Sequence, residues 1–235
     1  MINKMIKSDY HDKGVEFSGS DFSKPLYQLW VSKNFPKNET TNVLVGTEIE
    51  GEQSFKAWVG QLIHKASYDF PEVNVIKEYS PVTEVYIGNQ EYVSVGGSID
   101  RITIDRHGYM QLEDIKTQGN FPAKASWKEP SESWIQQLSV YRYLLECQRF
   151  KTSDVGIIHQ YVMGYQKDKK NEDYHEYNKI EIPLMSVSDT EEMIKNKIDI
   201  ATGDEPILKD CKDYMCKDYC SYNQVCPHYN KGGNS

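Results

Sequence analysis

Two acids and a lysine in the middle of the chain have the types and spacing of a hydrolytic centre. Asp114 and Lys116 are separated by one residue. On a strand their side chains leave the same face, about 6.6–7 Å apart, while Ile115 points into the opposite layer. Asp100 lies upstream, across Asp105-Arg-His-Gly108, a turn with glycine where a short hairpin needs a left-handed residue. In a tight hairpin the numbers of opposed residues sum to about 213 or 214, and a bulge at Gly108 selects the second register, with Asp100 opposite Asp114. Carboxylates so placed repel one another unless a cation lies between them. Mg²⁺ or Mn²⁺ suits hard oxygen ligands, and a lysine beside the ion orients or deprotonates water and stabilises charge developing on a phosphoryl oxygen. Hydrolysis of a phosphodiester is the chemistry that fits. Glu113 is the rival carboxylate, because a one-residue slip of register would exchange it for Asp114. Taken alone, the same residues also describe the polar face of a solvated hairpin.

The elements that must hold these residues can be read from periodicity. Thr83–Ile87, Tyr92–Ile104 and Tyr109–Lys116 alternate like half-buried strands and suggest a meander. Upstream, Phe55, Trp58, Val59, Leu62, Ile63 and Ala66 recur at helical spacing within Gln53–Asp69, with Gly60 and His64 one turn apart beside that stripe. Pro25–Trp30 is a candidate short helix. Downstream, Asn120–Ser133 contains two prolines and scattered charge and is expected to be a loop. A helix follows over Trp134–Phe150, with Trp134, Leu138, Tyr141 and Leu145 on one face. Val155–Gln166 and Glu176–Leu184 are expected as further strands joined by the polar Lys167–Asp173 loop. Ser188-Asp-Thr-Glu191 is a capping box opening a last helix that stops near Gly203.

Composition bounds what such a chain can be. With 38% hydrophobic residues and 12% aromatic, including 17 Tyr, it has too much apolar content for disorder. The start, MINKMIKSDYHDKGVEF, contains no apolar signal-peptide core, and no segment approaches the roughly 20 apolar residues of a membrane span. A soluble, cytoplasmic protein without a membrane partner is expected. The formal net charge of −8 argues against a general polyanion binder, yet a carboxylate-rich metal site itself contributes acid, so DNA is not excluded.

Gly97-Ser-Ile-Asp100-Arg-Ile followed by Leu112-Glu-Asp-Ile-Lys116-Thr resembles the paired strands of the PD-(D/E)XK nuclease superfamily, especially its RecB-like exonuclease branch. Gly60-Gln-Leu-Ile-His64 is similar to that family's upstream helical motif, and Gln137-Leu-Ser-Val-Tyr141 to its downstream Gln-x-x-x-Tyr motif. The four motifs occur in the family's order across about residues 55–145, which is more specific than any one of them. The resemblance implies an α/β (α+β) fold with a restriction-endonuclease-like core, a mixed central sheet flanked by helices. It also implies that Asp100, Asp114, His64 and the Ile115 carbonyl hold the metal and that Lys116 positions the nucleophilic water. Gln137 and Tyr141, four apart on one helical face, would contact a DNA strand or brace the lysine. The family pattern favours Asp114 over Glu113.

Of five cysteines, Cys211, Cys216, Cys220 and Cys226 crowd into one segment, a spacing suited to tetrahedral zinc or an iron–sulfur cluster. In a reducing compartment such clustering favours metal over disulfides. Iron–sulfur members of the RecB-like branch resemble this, but their fourth cysteine lies upstream of the nuclease motifs, and here none precedes Cys147. Either Cys211 completes a [4Fe–4S] site locally, which is the preferred reading, or the site is zinc with His228 as a substitute ligand. Residues 1–204 are then expected to form the nuclease domain and 205–235 a metal-pinned tail. Cys147 is expected to be a small buried hydrophobe. The expected activity is a metal-dependent exonuclease on single-stranded DNA or DNA ends in recombination, repair or phage DNA metabolism. The alternatives are a structure- or site-specific endonuclease and a non-catalytic nucleic-acid-binding module organised by the cysteine metal.

Overall fold

The computed structural model describes residues 15–35, 59–63, 65–66, 72–88, 91–167 and 173–206. By its internal contacts the chain divides into two compact units, one of residues 1–23 with 59–193 and one of residues 24–58 with 194–235.

The first unit carries two sheets. The larger has the order β2-β5-β6-β7-β8, formed by Val75–Tyr79, Ile99–Ile104, Met110–Gly119, Val155–Met163 and Tyr177–Pro183. Its β5–β6 and β7–β8 pairs are antiparallel, whereas β6 and β7 run parallel, so the sheet is mixed. A parallel pair cannot be closed by a tight turn and needs a crossover. That crossover consists of α3 (Asn120–Lys128) and α4 (Glu132–Cys147). The smaller sheet, β1-β4-β3, joins Phe17–Ser18, Glu91–Gly96 and Val82–Gly88.

Helix α4 lies on the sheet face that carries Asp114 and Lys116. Its Trp134, Leu138, Tyr141 and Leu145 are all buried, as the periodicity requires. Gly156 of β7 gives α4 room, since a Cβ there would stand 2.9 Å from Leu138 Cδ1. Helix α3 is anchored to the same face by a buried amide network. Gln160 Nε2 donates to Gln118 Oε1 (3.0 Å), Ala123 O (3.0 Å) and Ser126 Oγ (3.1 Å), and its Oε1 accepts from Asn178 Nδ2 (3.1 Å). Residues 59–63 and 65–66 are helical (α2), and Gly60 packs against the opposite face, where a Cβ would meet Thr117 Oγ1 at 3.1 Å.

Several expectations need correction. The run Tyr92–Ile104 is not one strand: it breaks at Gly97-Ser98, and β4 and β5 belong to different sheets, so the strands do not form a simple meander. Asn120–Ser133 is largely helical rather than a loop. Pro122 is tolerated because it stands in the first turn, where an N–H has no intrahelical acceptor. The last helix, α5 (Val187–Thr202), starts one residue after Ser186. Ser186 Oγ accepts the Asp189 N–H at 3.1 Å and donates to Asp189 Oδ2 at 2.6 Å, so the cap is Ser186 and not Ser188. Cys147 is exposed, because it is the final residue of α4.

In the second unit, α1 (Leu26–Asn34) is held to the chain that closes α5. Tyr27 donates its hydroxyl to Glu205 Oε1 (2.8 Å), Trp30 Nε1 donates to Gly203 O (3.1 Å) and Asn34 Nδ2 donates to Ala201 O (2.8 Å). Among the described residues no helix is long and apolar enough to cross a membrane.

Candidate active site

The β5–β6 hairpin closes through Asp105, whose Oδ1 accepts the N–H groups of His107 (2.8 Å) and Tyr109 (2.9 Å), with Gly108 at a φ of 81°. This is the left-handed position the sequence anticipates. The pairing is Arg101↔Glu113 to Ile104↔Met110, a sum of 214, which is the register that carries Asp100 towards Asp114. Beyond Arg101 the carboxylate of Asp100 takes over from the ladder. Its Oδ2 accepts the N–H of Ile115 at 2.9 Å, so the first acid is tied to the backbone between the second acid and the lysine.

Lys116 Nζ lies 2.9 Å from Asp114 Oδ2 and donates to Gln137 Oε1 at 3.0 Å. Gln137 Nε2 in turn donates to the hydroxyl of Tyr141 at 3.0 Å. The direction of the amide follows from chemistry: an ammonium has only donors, so the amide oxygen must face it and the NH₂ must face the phenol. Asp114 is 4% exposed, and Tyr141 equally buried. A buried carboxylate beside an ammonium is an environment that holds charge without full hydration. Gln137 thus bridges Lys116 and Tyr141.

The other face of the same strands is a separate network. Glu113 accepts from Arg101 Nε (2.6 Å), Thr103 Oγ1 (2.5 Å) and His159 Nε2 (2.8 Å), while Arg101 also forks onto Glu72. Burial opposes ionisation of Glu113, but the bonds from His159, Thr103 and Arg101 together outweigh it and hold the carboxyl down at about 2. The Glu72 hydrogen bonds, against the cost of burial, raise the Arg101 guanidinium above its ordinary value. Glu113 thus ties Arg101 and Thr103 of β5 to His159 of β7, on the side away from Lys116. Next to it Ile63, Ala66, Ile115, His159, Tyr161 and Tyr177 line a cleft of about 480 Å³. The sequence pattern alone did not reveal Arg101, Thr103 and His159. Once Asp100 faces α4, alternation puts Arg101 and Thr103 on the reverse side beside Glu113, a signal available in the register but easily passed over.

A family model of the PD-(D/E)XK nuclease superfamily matches residues 26–227, most of the chain and a range that includes residues 55–145. The chain belongs to this superfamily. The solved structure of SSO0001 is similar to it with a TM-score of 0.57, at 15% identity, over 97% of this chain and 91% of that one, a likeness of fold. No curated protein matches the sequence. The mixed sheet flanked by helices is the restriction-endonuclease-like arrangement of PD-(D/E)XK nucleases, and membership implies a metal-dependent nuclease acting on nucleic acid.

Members of the superfamily use Mg²⁺ or Mn²⁺. Asp100 and Asp114, on adjacent strands with the Ile115 carbonyl between Asp114 and Lys116, provide hard oxygen donors that suit these ions. Among the described residues no group of three or more His, Cys, Asp or Glu that could hold a metal ion is present. His64, the expected additional ligand, lies outside the described residues, as do Cys211, Cys216, Cys220, Cys226 and His228.

Proposed function

We propose that this nuclease is an exonuclease of the RecB-like branch that hydrolyses single-stranded DNA or DNA ends with Mg²⁺ or Mn²⁺. The observation that carries the reading is Lys116, held between Asp114 and Gln137 at 2.9 and 3.0 Å, with the Asp100 carboxylate bonded to the N–H of the neighbouring Ile115. Asp100, Asp114, the Ile115 carbonyl and His64 would hold the ion. When bound, the ion would supply Lewis acidity, polarising the scissile phosphate and lowering the pKa of a water so that it can give up its proton before attack. Lys116 orients the attacking water and faces the charge that develops on the phosphoryl oxygens. Asp114 and Gln137 fix the ammonium so that this costs no rearrangement during the reaction. Tyr141 fixes Gln137.

The four clustered cysteines are assigned to a [4Fe–4S] cluster ligated by Cys211, Cys216, Cys220 and Cys226, with zinc as the other ligand-compatible metal. Their spacing supports this, and the role is to pin the carboxyl-terminal segment.

Linear and circular single-stranded DNA of the same sequence, incubated with the protein and Mn²⁺, separate an exonuclease from an endonuclease. Degradation of the linear form to short products with the circle intact supports the proposal. Nicking of the circle at a comparable rate would replace it with an endonuclease.

A further inference from the structure

The ring of Tyr141 lies in a slot walled by two glycines. A Cβ on Gly19 would stand 2.2 Å from Tyr141 Cε1, 2.9 Å from Cδ1 and 3.1 Å from Cζ. One on Gly97 would stand 2.3, 3.1 and 3.3 Å from the same three atoms. Neither glycine has left-handed backbone, so the requirement is for space and not for conformation. The tyrosine cannot simply swing aside, because it is 4% exposed in a packed core.

The two walls come from distant parts of the sequence and are held by backbone bonds. Gly19 follows β1, which pairs parallel with β4 through Phe17↔Val95 and Ser18↔Gly96, and its N–H donates to Gly96 O at 2.7 Å. Gly97 follows β4, donates its N–H to Pro81 O at 3.2 Å, and precedes Asp100 by three residues. The small sheet thus places both glycines against one edge of the ring. Cζ, at the end of that edge, carries the hydroxyl that receives Gln137 Nε2, and Gln137 Oε1 receives Lys116.

We infer that Gly19 and Gly97 are positioning residues for phosphodiester hydrolysis. By admitting the edge of Tyr141 between them, they set the place of its hydroxyl, which holds the Gln137 amide with its oxygen towards Lys116. Without that phenol oxygen the amide NH₂ loses its acceptor, and the Gln137 side chain is free to leave the place that puts its oxygen on Lys116. The inference rests on Lys116 being the lysine of the reaction. Gly19 lies outside every motif of the site and enters it only through this ring.

The test is a double-mutant cycle read in steady-state cleavage of end-labelled single-stranded DNA with Mn²⁺. Gly19→Ala and Tyr141→Phe should each lower kcat by about ten- to a hundredfold, the loss expected from a misplaced group, with KM nearly unchanged. Gly19→Ala added to Gln137→Ala should lower kcat no further than Gln137→Ala alone. Losses that multiply, or that fall on KM, would overturn the inference. If Gly19→Ala does not fold, the thermal midpoint of Gly19→Ala/Tyr141→Ala decides. Recovery to the value of Tyr141→Ala supports a slot made for the ring, and continued unfolding refutes it. This stability arm also stands if the wild-type protein cleaves nothing, which would defeat the functional reading alone.

Discussion

The backbone N–H of Ile115 donates to Oδ2 of Asp100 at 2.9 Å. One carboxylate of the candidate metal pair thereby sets the position of the peptide joining the other carboxylate to the lysine. Asp100 then has two separable duties, as an acceptor that shapes the strand and as a charge that draws a cation. Asp100→Asn keeps an acceptor oxygen and removes the charge. It should abolish cleavage while leaving the thermal midpoint nearly unchanged. Asp100→Ala should be inactive and also less stable by about 1–3 kcal/mol, since the Ile115 N–H loses its partner. Equal midpoints for the two variants would show that the bond contributes nothing.

The reverse face predicts a pH dependence. Glu113 has its carboxyl lowered from an ordinary 4.5 to about 2 by its bonds to His159, Thr103 and Arg101, working against burial. A carboxyl depressed in the folded state contributes stability that is fully present above about 4.5 and is lost as pH falls towards about 2. Chemical denaturation across this window should show wild type losing more stability than Glu113→Gln. Parallel pH profiles would contradict the assigned role.

The hairpin was legible because its signals are local. Alternation, the Asp105–Gly108 turn and a bulge residue were enough to give the register that sets Asp100 towards Asp114. Gln137 and Tyr141 were legible as one helical face. The slot around Tyr141 was not, because Gly19 meets it through a parallel pairing between β1 and β4, and no periodicity encodes which distant strands meet. For the same reason Tyr92–Ile104 read as one strand: alternation continues across Gly97 although the chain changes sheet there. Helix α3 was hidden by prolines, whose effect depends on their position within a turn.

The buried amide network gives a stability prediction independent of catalysis. Gln160 is fully buried and bonded to Gln118, Ala123, Ser126 and Asn178. Gln160→Leu strands those partners and should cost about 2–4 kcal/mol. Calorimetry should record a clear fall in midpoint, and an unchanged midpoint would mean that the network is dispensable.

For the cysteine segment, protein purified without oxygen should be brown and carry iron and inorganic sulfide if the cluster is [4Fe–4S]. Cys220→Ser should lose both. Colourless protein with one equivalent of zinc would assign the other metal, and protein with neither would remove the assignment.

The proposed function makes Asp100, Asp114 and Lys116 a metal-dependent phosphodiesterase centre. It is tested most directly by incubating end-labelled single-stranded DNA with pure protein in Mn²⁺, beside EDTA and Lys116→Ala controls. Short labelled products with wild type, absent with EDTA and reduced about a thousandfold or more by Lys116→Ala, are expected for loss of a charge-stabilising group at the reacting phosphate. Cleavage that survives Lys116→Ala undiminished would contradict the account.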